Sequence, residues 1–291
     1  MSIIHMGLAV LVAALWGGNF VAAKVGVSYF PPFFFTSMRF ICVTALLIPF
    51  VPRPSLDQLK RIMPVGLMAT FHFSLLFVSL HRGLDISSGS LVGQLGVPFS
   101  CILGAIFFKD RIGVWHITGI VIAFIGIAVI AGAPNILAHP DAFFISIASA
   151  LSWAIANIFV KRVKDIPSMQ LLAWMSLFTL PILLLLSTLL EPVSWSLIPA
   201  APLSSWLGLA YTTLASTLGA YGLWYFLLNR YTVSQVAPFS LLTPVFGISC
   251  GQIFFQELLT TEIIAGGIIT IVGVAIIVLR KPKHALITEA T

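Results

Sequence analysis

Charge is what this sequence has least of. Only 8% of its 291 residues are Asp, Glu, Lys or Arg, while 59% are hydrophobic. A soluble domain carries about 25% charged residues. So few charges cannot cover a water-facing fold of this length, so lipid must be part of the solvent. Acid is scarcer than base. The nine carboxylates all fall between apolar runs or at their ends, Asp85, Asp110, Asp141, Glu191 and Glu257 among them. None stands at mid-membrane depth, where many coupled transporters hold protons or sodium. Cysteine is equally sparse. Cys42, Cys101 and Cys250 lie singly in apolar stretches. They make no CxxC or metal-ligand spacing, and read as small buried hydrophobes. GxSxG, HExxH and P-loop patterns are missing. These absences argue against an enzyme and imply neither metal nor cofactor.

What fills the chain is apolar helix. About 20 residues span the hydrocarbon, and the runs fit ten spans at 5–27, 32–50, 62–82, 87–108, 114–132, 142–160, 168–190, 204–228, 234–256 and 263–280. The first begins almost at Met1, without a basic residue before it or a cleavage motif, and reads as a retained span. The net charge of +6 does not indicate nucleic acid, because the basic residues are scattered between runs rather than gathered on a face. They follow membrane topology instead. With a cytoplasmic N-terminus, twelve of the fifteen Lys and Arg fall inside: Arg53, Lys60, Arg61, Lys109, Arg111, Lys161, Arg162, Lys164, Arg230, Arg280, Lys281 and Lys283. Both ends are then cytoplasmic, with 281–291 as a tail.

The chain also repeats. Trp16, Asn19 and Lys24 recur as Trp153, Asn157 and Lys161, eight residues from Trp to Lys in each case. Asp110, Gly119 and Gly126 share their spacing with Glu257, Gly266 and Gly273, and Pro98 and Pro244 precede the acids by twelve and thirteen residues. The join falls near Ala133–Asp141, giving one unit at 5–132 and another at 142–280. Five helices in each unit force the second to enter the membrane from the opposite side. Inverted repeats of this kind carry a solute site at the midplane.

Polar side chains inside spans are the site candidates. His72 is the one ionisable group near the centre of a span, and an unpaired polar group in hydrocarbon costs several kcal/mol. It reads either as a solute ligand or protonatable group, or as one half of an interhelical hydrogen bond. Trp16 with Asn19, and Trp153 with Asn157, share helix faces three and four apart. They suit an indole wall with an amide below it, or plain helix packing. Gln94 and Gln252 are further mid-span amides beside Gly-xxx-Gly spacings, and Tyr221 belongs to an aromatic-rich eighth span. Lys24 and Arg39 fit two roles, attraction of an anionic group or neutralisation of an acidic helix end such as Glu257.

Several stretches carry a family likeness: Trp16-Gly17-Gly18-Asn19-Phe20, Pro31-Pro32 with Arg39-Phe40, Ser152-Trp153 with Asn157-Ile158-Phe159, Arg230-Tyr231, the run from Val236 to Val245, and Glu257. With them the chain resembles the drug/metabolite transporter superfamily in its EamA-domain branch. Within that branch it is similar to bacterial O-acetylserine/cysteine exporters, and more distantly to aromatic amino-acid exporters. The resemblance implies an all-α integral membrane protein of two EamA repeats in the bacterial inner membrane, exporting amino acids or related metabolites. Lys109-Asp110 stands where the family often has Gly-Glu. The expectation is alternating access, with two five-helix halves rocking about a midplane cavity. Transport would run downhill or be coupled to protons through His72, in a monomer or homodimer. An integral-membrane enzyme and a non-transporting scaffold are the competing classes. The first would need an interfacial cluster of acids, His or Cys, and the sequence has none. The second should tolerate Leu at the mid-span polar positions.

Overall fold

The computed structural model describes residues 1–108, 113–160, 162–163, 165–191, 197–228, 230–231 and 233–279. Lys109, Asp110, Arg111, Lys161, Lys164, Arg280, Lys281, Lys283 and the 281–291 tail, which enter the topology and repeat arguments, lie outside them. Among the described residues the chain is helical, with no strand.

Eight helices among these residues are long and apolar enough to cross a membrane: Ile3–Val27, Pro32–Phe50, Leu56–His81, Ile86–Phe108, Pro140–Val160, Ser168–Leu190, Ala237–Phe255 and Thr261–Leu279. Val114–Ile130 is a shorter apolar helix. Leu203–Ala210, Tyr211–Gly219 and Ala220–Leu228 run on as one rod. In chain order these are the first to tenth spans. The protein is therefore a multi-pass membrane protein.

Local chemistry sets the ends. The third span starts at Leu56, six residues before its apolar run. Ser55 Oγ accepts from Gln58 N at 3.2 Å and Gln58 Oε1 accepts from Ser55 N at 3.0 Å, a capping box that satisfies two orphan donors. The fourth span breaks between Gly93 and Gly96, where Pro98 has no N–H to return to the Gln94 carbonyl. The ninth carries its proline, Pro244, in the first turn of Thr243–Phe255, after a 3-10 turn over Ala237–Leu242. In the eighth the middle segment is π-helical, and Thr217 Oγ1 donates to Thr212 O at 2.6 Å.

The halves do not form two separate bundles. The second span packs on the seventh, the third on the sixth, the fourth on the ninth, the fifth on the tenth, and the first on the eighth and ninth. Each pair joins one repeat to the other. The fifth and tenth spans explain the matched glycines. A Cβ on Gly119 would lie 2.6 Å from Gly273 O, and one on Gly273 would lie 2.7 Å from Gly119 O. Gly126 and Gly266 stand in the same relation at 2.7 and 2.6 Å. Reciprocal contact of this sort is what a two-fold relation between repeats produces, and backbone approach is how membrane helices gain packing energy. Gly126→Leu should cost roughly 1–3 kcal/mol through overpacking, and a lower thermal midpoint in detergent would register it.

One end of the bundle is clasped by carboxylates. Glu257 accepts from Ile86 N at 2.6 Å, from Ser87 N at 2.9 Å and from Ser87 Oγ at 2.8 Å, and pairs with Lys24 Nζ at 3.1 Å. Glu191 accepts from Phe33 N at 2.6 Å and Phe34 N at 2.9 Å. Each carboxylate from one span thus meets the positive N-terminal end of another. Phe30, Phe34, Phe35, Phe77, Leu80 and Ile86 fill that end and are almost fully buried. At the opposite end Arg61 grips Asp165 with two bonds of 2.8 and 3.0 Å. Those bonds hold the Asp165 carboxyl below the usual range.

Candidate functional site

Two adjoining cavities occupy the middle of the bundle, of about 380 and 410 Å³. Each lies within the range that holds small organic ligands. They share Trp16, Arg39, Phe73, Trp153, Asn157, Tyr221 and Ser240 as a common wall. One runs on past Val65 and Ala69 to Val160 and Ser168. The Phe-rich core closes the opposite direction.

The first span shows how the sequence builds the wall. A Cβ on Gly17 would fall 2.5 Å from Phe246 Cβ and 2.9 Å from Gly247 N, and one on Gly18 would collide with the Tyr211 hydroxyl. The two glycines let the ninth and eighth spans close in behind. Trp16 and Asn19, on either side of the pair, reach the cavity. The Trp16 ring lies 5.5 Å from Tyr221 and 5.2 Å from Trp224. The repeat mate behaves alike: Trp153 lies 5.0 Å from His72 and 6.5 Å from Phe73. A tryptophan from the first span of each repeat therefore meets aromatics on the third span of the other.

His72 makes the interhelical hydrogen bond that its sequence allowed, and it also stands at the cavity wall. Its Nδ1 lies 3.0 Å from Ser149 Oγ and 3.1 Å from Ser149 O, while Ser149 Oγ donates to the His72 carbonyl at 2.9 Å. Arg39 lines both cavities, and Lys24 neutralises Glu257 at the clasped end instead.

Trp16, Asn19, Arg39, His72, Gln94, Trp153, Asn157 and Tyr221 are thus brought to one place. Gln252 and Lys24 are not. Gly251 turns towards Ser87 and Glu257, and the next position lies about 100° around the helix, so Gln252 is exposed. Ser90, Ser100, Ser146, Ser149, Ser216, Thr217, Ser240 and Thr243 line the cavities as well. Nothing marked these hydroxyls in advance, because Ser and Thr are ordinary in membrane helices, where they bond their own backbone.

A helical membrane protein with a mainly apolar hollow inside its bundle, into which a few polar groups converge, has the form of a transporter. The chain belongs to the EamA-like transporter family, whose model matches it twice, over residues 3–132 and 142–279. It is 35% identical over 279 residues to a probable amino-acid metabolite efflux pump of Salmonella typhimurium, covering 92% of this chain and 93% of that one. It is 32% identical over 278 residues to a protein of the same description in Escherichia coli, again covering 92% and 93%. A crystal structure 18% identical aligns over 95% of this chain and 96% of its own with a TM-score of 0.65, a likeness of fold.

Proposed function

We propose that the protein exports amino acids or related small metabolites across the inner membrane by alternating access, with the shared cavity as the solute site. The observation that carries the reading is the cavity itself, walled by indoles, amides, hydroxyls and one guanidinium. The efflux-pump relatives agree with it.

Orientation follows from charge. Arg53, Lys60, Arg61, Arg162 and Arg230 gather at the end towards which the cavity runs, against Lys24 and Arg82 at the clasped end. The positive-inside rule then makes the first end cytoplasmic. With that orientation, the clasp would seal the outer side and the hollow would run towards the cytoplasm, an arrangement suited to loading solute for export. The five-helix repeats at 5–132 and 142–280 define the symmetry of the movement. The moving bodies are mixed: the second, third, sixth and seventh spans on one side, and the first, eighth and ninth on the other. The first cavity lies between these two groups, and the fourth span adds Ser90, Gly93, Gln94 and Ser100 to the wall of the second.

The test is efflux from proteoliposomes loaded with labelled cysteine or O-acetylserine, with His72→Ala beside wild type over a pH series. Export well above protein-free liposomes is expected. If wild type and His72→Ala share one pH profile, His72 has no part in coupling. Retention of every labelled amino acid would remove the transport reading.

A further inference from the structure

We infer that Arg39 is the anchor for a carboxylate on the solute, so that the cavity selects carboxylic acids over the matching amides and amines. The inference rests on the cavity being the solute site, as proposed above.

Arg39 is only 1% exposed, and it is held from one side. Its Nε and Nη2 donate to Thr217 Oγ1 at 3.1 and 2.6 Å. Its guanidinium carbon stands 4.0 Å from the Phe73 ring centre. Thr217 Oγ1 also donates to Thr212 O in the π-helical segment, so its full hydrogen-bonding capacity is used. This leaves Nη1 buried without a hydrogen-bond partner among the described residues.

The charge is as unmatched as the atom. Lys24 has Glu257, Arg61 has Asp57 and Asp165, and Arg82 has Asp141. Arg39 has no carboxylate within ion-pair distance among the described residues. The residues lining both cavities include no Asp or Glu, and Arg39 is the one Lys or Arg among them. A buried, uncompensated guanidinium with a free donor is costly. An anion that pairs with it recovers that cost, and guanidinium geometry favours carboxylate.

Three more unpartnered buried atoms share the same cavity: Trp16 Nε1, Asn19 Oδ1 and Thr243 Oγ1. The indole N–H offers a second donor to an anion, and the Asn19 oxygen offers an acceptor to an ammonium. The set matches an α-amino acid. Arg39 would repel a bare amine.

The test is equilibrium binding to the purified full chain in detergent, read by quenching of the cavity tryptophans. The probes are cysteine, leucine and phenylalanine, each beside its carboxamide and its decarboxylated amine. The expected result is binding of one or more acids, with the carboxamide and amine at least tenfold weaker. In Arg39→Gln the acid should fall to the level of its carboxamide, and Arg39→Lys should retain part of the preference. Equal binding of acid and carboxamide to wild type overturns the inference even if the Arg39 variants do not fold, and so does a failure of all three acids to bind. Labelled-cysteine efflux from proteoliposomes reconstituted with the same protein keeps the two readings apart: binding without efflux removes transport alone, and efflux with equal binding removes the carboxylate anchor alone.

Discussion

Glu257→Ala should destabilise the protein by roughly 3–5 kcal/mol, the range for removing one partner of a buried ion pair, and should reduce export to near background. The glutamate is almost buried and satisfies four donors at once: Lys24 Nζ, Ile86 N, Ser87 N and Ser87 Oγ. Truncation leaves an ammonium 5.0 Å from the Phe255 ring centre without its anion. It also leaves two backbone N–H groups at the start of the fourth span without an acceptor, and water is scarce there. The first, fourth and ninth spans lose their common tie, and the clasped end loses its seal. Glu257→Gln keeps one acceptor oxygen and gives up the charge, so it should fall between wild type and Glu257→Ala. Thermal unfolding in detergent and efflux from proteoliposomes measure the two effects. An unchanged thermal midpoint in Glu257→Ala would show that the clasp contributes nothing.

Ala156→Trp should abolish export while leaving the fold intact. Ala156 is buried on the sixth span and lines the cavity between Trp153 and Val160. An indole there has the hollow to enter, so the cost in stability should stay within the roughly 1–3 kcal/mol of overpacking. The space for solute would be taken. Monodisperse protein with wild-type secondary structure and background efflux is the expected pair of results. Efflux at the wild-type rate would place the solute path elsewhere.

The fold was largely legible in the chain because lipid forces it. Every backbone group must be satisfied inside a helix, so apolar length alone marks the spans. The glycine spacing at Gly119, Gly126, Gly266 and Gly273 marked the repeat, and the structure adds that these glycines are where the fifth and tenth spans meet antiparallel. The interleaving of the halves was not legible, because hydropathy reports depth and says nothing of which span lies beside which. For the cavity, Trp16, Asn19, His72 and Trp153 announced themselves as polar or amphipathic groups at a depth where such groups are expensive. Gln252 had the same signature and still faces outward, since the register of Gly247 and Gly251 against Ser90 and Ser87 turns it away. The serines and threonines of the wall could not be singled out, because a hydroxyl that bonds its own helix costs little anywhere in a span.

The most direct measurement concerns Ser240, which lines both cavities. Ser240→Cys, in a chain with Cys42, Cys101 and Cys250 replaced by Ala, would be exposed to a small water-soluble thiol reagent on inside-out vesicles. Rapid modification, slowed by a transported amino acid, is the result expected of a solute site open to the cytoplasm. A thiol that stays unreactive from that side, or reacts at one rate with and without the amino acid, would contradict it.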